Sequence, residues 1–565
     1  MSNRPVLQAF LAAALWTAAP SMALARQPTA ELVIVNANIL TVDEANPRAE
    51  AFAVKNGKFV AIGSSFEMQR LIGKDTKLID LEGKTVTPGF IDGHAHPRPI
   101  YPVRSRLGSV DLSPESVSTM DDLVSALRDK ALITPKGHWV LGRGYQDTKL
   151  GRHPTRRDLD QASTEHPILI RHSSGHVSAV NSMALDLAQV TADTPDPPGG
   201  GFDRDDDGVP NGVCREAPAV NIIREAGPPL PTPTRQEELE GMQKCFRNFL
   251  SKGITGVGDA GIQPSKMTLY QDVVESGPTV RIYAMFRENA LPELEKLHLR
   301  TGFGNERLRI GAIKLYHGNS LSGRTCWLYE PYAGRPDYFG IPPARSQEEL
   351  DELIFRIHAS GFQAAVHSNG DREIDMVLDA FEKALHELPK PNHRHRIEHG
   401  SVVNPSILKR TKELGVVLAL HSYVYEHGDK MEEYGEKRWG MMHANRSALE
   451  LGIPVAGTSD YPVSAADPLL RIQSLVTRTS AEGKVYGAEQ RLTVEQAIRV
   501  FTLGSAYASF EENIKGSIEV GKLADFVVLS RDPTRVSPET IKDIEVETTF
   551  IGGEMVYAAS ESFPR

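Results

Sequence analysis

Eight short apolar runs of strand type recur between residues 87 and 460, and amphipathic stretches separate most of them. They are TPGFIDG, GITGVGD, VRIYAMFRE, RIGAIKLY, FQAAVHS, RHRIEHG, GVVLALHS and IPVAGTSD. The intervening QEELDELIFRIHAS and DREIDMVLDAFEKALHEL place their apolar residues at helical spacing. This alternation is the pattern of an α/β chain forming a (β/α)8 TIM barrel, although a doubly wound open sheet would alternate in the same way. The polar residues favour the barrel, whose chemistry sits at the C-terminal ends of its strands. His94 and His96 follow the first run, Lys314 lies in the fourth, His367 ends the fifth, His399 the sixth and Asp460 the eighth.

In extended chain, residues i and i+2 point to one face, so His94 and His96 aim two imidazoles at one spot. That is a pincer for a cation; a turn with two solvated histidines is the alternative. Singly, a strand-end histidine is ordinarily hydrogen-bonded or hydrated, and Lys314 could extend its ammonium to water. Gathered at one end of a barrel, imidazoles and a carboxylate suit Zn²⁺, with Mn²⁺, Fe²⁺ or Co²⁺ as alternatives.

A chain of 565 residues has room for a barrel and a smaller unit. ELVIVNANILTV, AFAVKNGKFVAIG and TKLIDLEGKTVTPGF at one end, and GSIEVGKLADFVVLS and VETTFIGGEMVY at the other, are short β-type runs broken by glycine turns. They predict a β-sandwich built from residues 29–88 and 514–562, with the barrel, 89–513, inserted between them. The stretch from about 98 to 250 is too long for a barrel loop and reads as an insertion covering the active-site face. Residues 1–25 read as a signal peptide: Arg4 precedes VLQAFLAAALWTAA, and Ala23-Leu24-Ala25 supplies an A-x-A cleavage site. The expectation is export, to a bacterial periplasm, with no membrane attachment after cleavage. A net charge of -10 gives no basic footprint for nucleic acid. Cys214, Cys245 and Cys326 show no CxxC spacing and are expected to be buried thiols.

GFIDGHAHP, the strand lysine within GAIKLYHGNSLSGRT, AVHSNGD, RIEHG and GTSDYP, in this order, resemble the amidohydrolase superfamily, specifically its YtcJ-like and N-substituted-formamide-deformylase-like branch. The resemblance implies a small-molecule substrate and two divalent metal ions. One ion would take His94, His96 and Asp460, the other His367 and His399, with Lys314 bridging as a carbamate formed with CO₂. It further implies a metal-activated hydroxide attacking the carbonyl of an amide, cyclic amide or N-substituted formamide, with Asp460 as general base and then acid. The chain contains no G-x-S-x-G elbow for a serine mechanism.

His176 occupies a setting similar to one in relatives and is assigned to substrate binding; packing within the insertion is the alternative. His317 stands where many relatives have aspartate and His421 where many have glutamine, and both are assigned to the pocket mouth. Arg324 is assigned to an anionic or carbonyl part of the substrate, with a structural salt bridge as the alternative. Lactone or ester hydrolysis would use the same centre, and a non-catalytic periplasmic binding protein on this scaffold is the other class. The complete ligand set favours an enzyme, expected as a homodimer. DRDDDG copies the opening of a calcium loop, but its closing position is Cys214, so a hairpin turn at Asp207-Gly208 is expected instead.

Overall fold

The computed structural model describes residues 29–560 apart from Glu115 and Ser422, so the expected export segment, 1–25, lies outside the described residues. No helix among the described residues is long and apolar enough to cross a membrane. Eight parallel strands pair in chain order: β1 (Phe90–Ala95), β2 (Ile254–Ile262), β3 (Arg281–Arg287), β4 (Leu308–Tyr316), β5 (Ala364–Ser368), β6 (Arg396–His399), β7 (Val417–His421) and β8 (Val455–Thr458). The two edges then meet just past β8, where the Asp460 N–H donates to the His94 carbonyl (2.9 Å) and the His96 N–H to the Tyr461 carbonyl (2.7 Å). The sheet is therefore a nearly closed (β/α)8 barrel, not an open doubly wound sheet.

Both faces of these strands are covered, so nearly every strand position is buried. The period of two sorts them. Ile313 and Leu315 of β4, Ala364 and Val366 of β5, and Leu418 and Leu420 of β7 join the large core under the helices. Ala312 and Ala365 instead join Ala260, Tyr283 and Met285 in a small cluster inside the barrel. Moving two residues along from those inward alanines gives Lys314 and His367, and from Ala419 gives His421. The site residues are thus the top inward layer of the barrel. Gly258 has to lack a side chain, because a Cβ there would stand 2.4 Å from the Gly93 carbonyl oxygen of β1.

The helices follow from equally local chemistry. Gln347–Ala359 opens with a Ser346/Glu349 capping box, and Asp371–Glu387 buries Ile374, Val377, Leu378, Phe381 and Ala384 along one stripe. Both chain ends contribute to a second unit. A four-stranded sheet from residues 32–80 faces a six-stranded sheet that combines Asn38–Leu40, Arg48–Ala49 and Thr85–Pro88 with Phe526–Leu529, Val546–Ile551 and Glu554–Ala558. Between them Phe526 stacks on Phe550 at 4.3 Å and meets Phe52 edge-on at 4.9 Å.

The insertion carries its own six-stranded sheet, in the order Gly201–Arg204, Pro210–Arg215, Val177–Val180, Ile168–His172, Val140–Tyr145 and Val110–Asp111. DRDDDG is the turn of its first hairpin, with Gly208 at φ +80°. Its Asp203 is bound by Arg215 at 2.6 Å and Asp205 by Arg157 at 3.1 Å, so guanidinium groups answer these two carboxylates. All three cysteines are buried and free.

Below β5 and β6, away from the site, three histidines lock one another. The Ala364 N–H donates to His395 Nδ1 (3.0 Å), which places the His395 proton on Nε2, toward His358 Nδ1 (2.9 Å). His358 Nε2 then donates to the Leu388 carbonyl, and the His395 N–H donates to His393 Nδ1. Burial holds His395 well below its ordinary pKa and lowers His393 too. With folded values below the unfolded value of about 6.5, the unfolded chain binds more protons as pH falls beneath that value. The metal-free protein is therefore expected to keep this stability above pH 6.5 and lose it progressively on acidification. Urea midpoints at pH 7.5 and 5.5 check this; equal midpoints would refute it.

Candidate metal centre

His94 and His96 leave β1 with their rings 5.1 Å apart, and Asp460 meets both: its Oδ1 lies 3.5 Å from His94 Nε2 and 3.1 Å from His96 Nε2. His399 faces His94 at 4.8 Å and His367 at 4.4 Å, and His421 stacks on His399 at 4.4 Å. His421 Nε2 is 3.6 Å from Asp460 Oδ2. The donor atoms of His94, His96 and Asp460 lie within 4.8 Å of one another, as do those of His399, His421 and Asp460. Lys314 Nζ stands 4.6 Å over the Tyr316 ring, and that ring is 5.6 Å from His367. His399 (φ +75°) and Asp460 (φ +55°) both adopt the left-handed region, a strain that the closed barrel end holds in place.

The electrostatics prepare these groups as ligands. His94 Nε2, Lys314 Nζ, His399 Nδ1, His421 Nδ1 and Asp460 Oδ1 are buried without a hydrogen-bond partner. Unanswered buried polar atoms are costly, and the imidazoles and carboxylate gathered as His94, His96 and Asp460 and as His399, His421 and Asp460 fit a cation that completes them. Burial, reinforced by the neighbouring positive groups, holds His94, His367 and His399 well below the usual histidine range, and His421 falls to about 4. Neutral imidazoles offer the lone pairs a metal requires. Burial would raise Asp460, but the close His96 ring and the adjacent imidazoles of His94 and His421 outweigh it and keep this carboxyl well below the usual carboxylate range.

The amidohydrolase family matches the chain over residues 77–557. The chain belongs to that family. YtcJ of Bacillus subtilis (strain 168) is 30% identical to this amidohydrolase over 92% of the chain and 98% of YtcJ. The N-substituted formamide deformylase of Arthrobacter pascens is 28% identical over 94% of the chain and 99% of its own length. Among solved structures, an uncharacterized metal-dependent hydrolase from Pyrococcus horikoshii OT3 superposes with a TM-score of 0.70 at 25% identity, over 90% of this chain and 99% of that one. This amidohydrolase is a hydrolase with a metal-binding site.

The remaining sequence-assigned residues divide. His176 lies against His367, rings 5.2 Å apart, with its Nδ1 2.6 Å from Glu216. Burial opposes its protonation, yet the Glu216 carboxylate prevails and raises its pKa. His317 lines the same cavity with both ring nitrogens unpartnered, burial pulling it to about 4. His421 is brought to Asp460, beneath the mouth. Arg324 is turned away from the cavity: it reaches Asp147 at 2.9 Å and Glu433 at 3.2 Å. Asp147 also meets Lys430 (2.8 Å) and His172 (3.1 Å), which together bolt the insertion onto the barrel loops.

Glu398 went unnoticed in the sequence. Its carboxylate accepts a hydrogen bond from His94 Nδ1–H and is itself held by Arg396 at 2.7 and 3.0 Å, while Arg396 donates to the Gly93 carbonyl at 2.9 Å. Arg396 and Glu398 stand two apart on β6 and are fully buried, and that i, i+2 pair of opposite charges within a strand-like segment was the available signal. By fixing the His94 tautomer, Glu398 turns Nε2 toward Asp460. Glu398→Gln is expected to weaken metal affinity about 10–100-fold. It also strips Arg396 of its charge partner, at a cost of about 3–5 kcal/mol. Chelator competition and urea unfolding measure the two effects; metal affinity equal to the parent would exclude the orienting role.

Proposed function

We propose that this amidohydrolase cleaves a C–N bond of amide, cyclic amide or N-substituted formamide type at a centre of two divalent metal ions, Zn²⁺ first among them. The observation that carries the proposal is that Asp460 belongs to two clusters of potential ligands at the barrel end, one with His94 and His96 and one with His399 and His421, the donor atoms of each lying within 4.8 Å of one another. His94, His96 and Asp460 would hold one ion; His367, His399 and Lys314 would hold the other, with Lys314 converted by CO₂ to a carbamate. Burial, partly countered by Glu398 and Asp460, lowers the Lys314 ammonium to about 8, which leaves an appreciable fraction of the neutral amine that reacts with CO₂. Bound divalent ions supply carbonyl polarisation and an acidified water.

The chain's own residues supply the rest. Asp460, poised as an anion, takes the proton from water on an Oδ atom and returns it to the departing nitrogen. Glu398 keeps His94 in one tautomer, and His176, held by Glu216, presents its free ring edge to the carbonyl side. The relative that acts on N-substituted formamides by its name supports a C–N bond over a lactone. Metal analysis of the purified protein, followed by amides, cyclic amides, formamides and lactones assayed side by side, tests this reading. Hydrolysis confined to lactones would overturn the bond assignment, and full activity after exhaustive chelation would overturn the metal.

A further inference from the structure

The cavity above the metal centre encloses about 1330 Å³, and its wall includes Arg98, Arg143, Arg171, Arg224 and Arg287. Among the described residues these five make no ion pair, in a chain whose net charge is -10. Arg143 and Arg171 are register partners on adjacent parallel strands of the insertion sheet, so their side chains leave the same face one strand apart. Like charges so placed repel, and Arg143 Nε has no hydrogen-bond partner. Burial together with the charges of Arg224 and Arg287 lowers Arg171, and burial together with Arg143 brings Arg98 down to about 10. Arg287, at the end of β3, is fixed by its Nε, which donates to the Gly261 carbonyl at 3.0 Å, and its guanidinium lies 5.4 Å from the centre of the Tyr316 ring. Lys314 touches that same ring, so one aromatic side chain separates the arginine cluster from the metal centre.

The carboxylates of the wall are engaged elsewhere. Glu216 answers His176 and Thr325, Asp259 answers Tyr270, Glu426 answers Arg471 and Glu482 answers Lys149. Asp111 is the register neighbour of Arg143 but forms no ion pair with it. The protein thus gathers five guanidinium groups beside its metal centre and gives none of them an ion-pair partner; Asp259, which lies near enough to Arg287 to feel its charge, is hydrogen-bonded by Tyr270 instead. Guanidinium forks match planar or tetrahedral oxyanions.

We propose that the substrate of this amidohydrolase carries an oxyanion, a carboxylate or a phosphate, received by Arg143, Arg171, Arg224, Arg287 and Arg98 while the scissile amide faces Asp460. The inference rests on the hydrolase reading of the adjoining centre. It gives the insertion a task, since Arg143, Arg171 and Arg224 all belong to it.

Two measurements test it. Isothermal titration of glutarate and of inorganic phosphate into metal-free full-length protein requires no turnover. It is expected to show saturable binding that weakens with salt and falls at least about ten-fold in Arg171→Gln/Arg224→Gln. Preference between the two probes identifies carboxylate or phosphate as the source. Should the double variant fold poorly, Arg224→Gln alone, on an exposed helix position, is expected to lose affinity in the same direction. With metal restored, N-formylglycine is expected to exceed N-formylglycinamide at least about ten-fold in kcat/KM, through KM, and the double variant should erase that preference while keeping kcat. Anion binding equal in parent and variants, or equal turnover of the charged and neutral amides, would overturn the proposal. Arginine-dependent anion binding in a protein that hydrolyses neither compound would refute the assignment of the bond to an N-substituted formamide and leave the anion site standing.

Discussion

Asp460→Asn is expected to keep most of the bound metal and to lose turnover by a factor of about 10²–10⁴, the range that general acid–base work supplies. The substitution suits the site. Asparagine has the shape of aspartate, and it tolerates the left-handed backbone found here, φ +55°, better than most residues. Its amide oxygen is still a weak ligand between His94 and His96, so the pincer is not dismantled. What disappears is the carboxylate that, in the proposed mechanism, accepts a proton and gives it back. Metal content and hydrolysis measured on one preparation separate the two roles. A variant hydrolysing at the parent rate would rule Asp460 out as the proton shuttle, and a variant stripped of metal would show that its ligand role dominates.

Lys314→Ala is expected to abolish hydrolysis, with formate, acetate or propionate restoring part of it. An ammonium cannot bind a cation, yet Lys314 is buried among His94, His367 and His399 with its Nζ unpartnered, so a free amine has no evident task there. A carbamate supplies two oxygens from the same position. Removing the side chain opens a channel of its own shape, and a short carboxylate entering it presents the same pair of oxygens. Because direct ligation is lost, the effect should exceed the roughly 10–100-fold that outer partners of a metal control. Lys314→Arg, which keeps charge and length but cannot be carbamylated, should be as inactive as the alanine variant. An active arginine variant, or no response to added acids, would overturn the carbamate.

The barrel was legible because its eight strands announce themselves locally, as apolar runs whose inward and outward residues alternate. The placement of the candidate site residues was legible for a related reason: a polar residue two places beyond a buried small one, as with Ala312 and Lys314 or Ala365 and His367, has one face to occupy. Pairings between distant segments were not legible. Glu398 acquires its role from His94, 304 residues earlier. HWVLGRGY and PILIRHSSG each show one ordinary arginine, and only strand register sets Arg143 beside Arg171. Arg324 illustrates the converse, a residue whose surroundings in sequence point toward the substrate while its guanidinium reaches Asp147 instead.

The seam between β1 and β8 has a consequence for how such a molecule comes into being. Asp92 accepts from the Ser459 N–H at 3.1 Å across a separation of 367 residues, and the pincer histidines and Asp460 sit on the two sides of that join. Contacts this remote in the chain form late, because the entropy of closing so large a loop has to be met before they reward it. Seven strands laid down in order would still hold no complete site. Metal capture therefore becomes a report on completion: a chain stalled before its last strand docks has imidazoles but no cage, and it stays distinguishable, by metal content alone, from one that has finished folding.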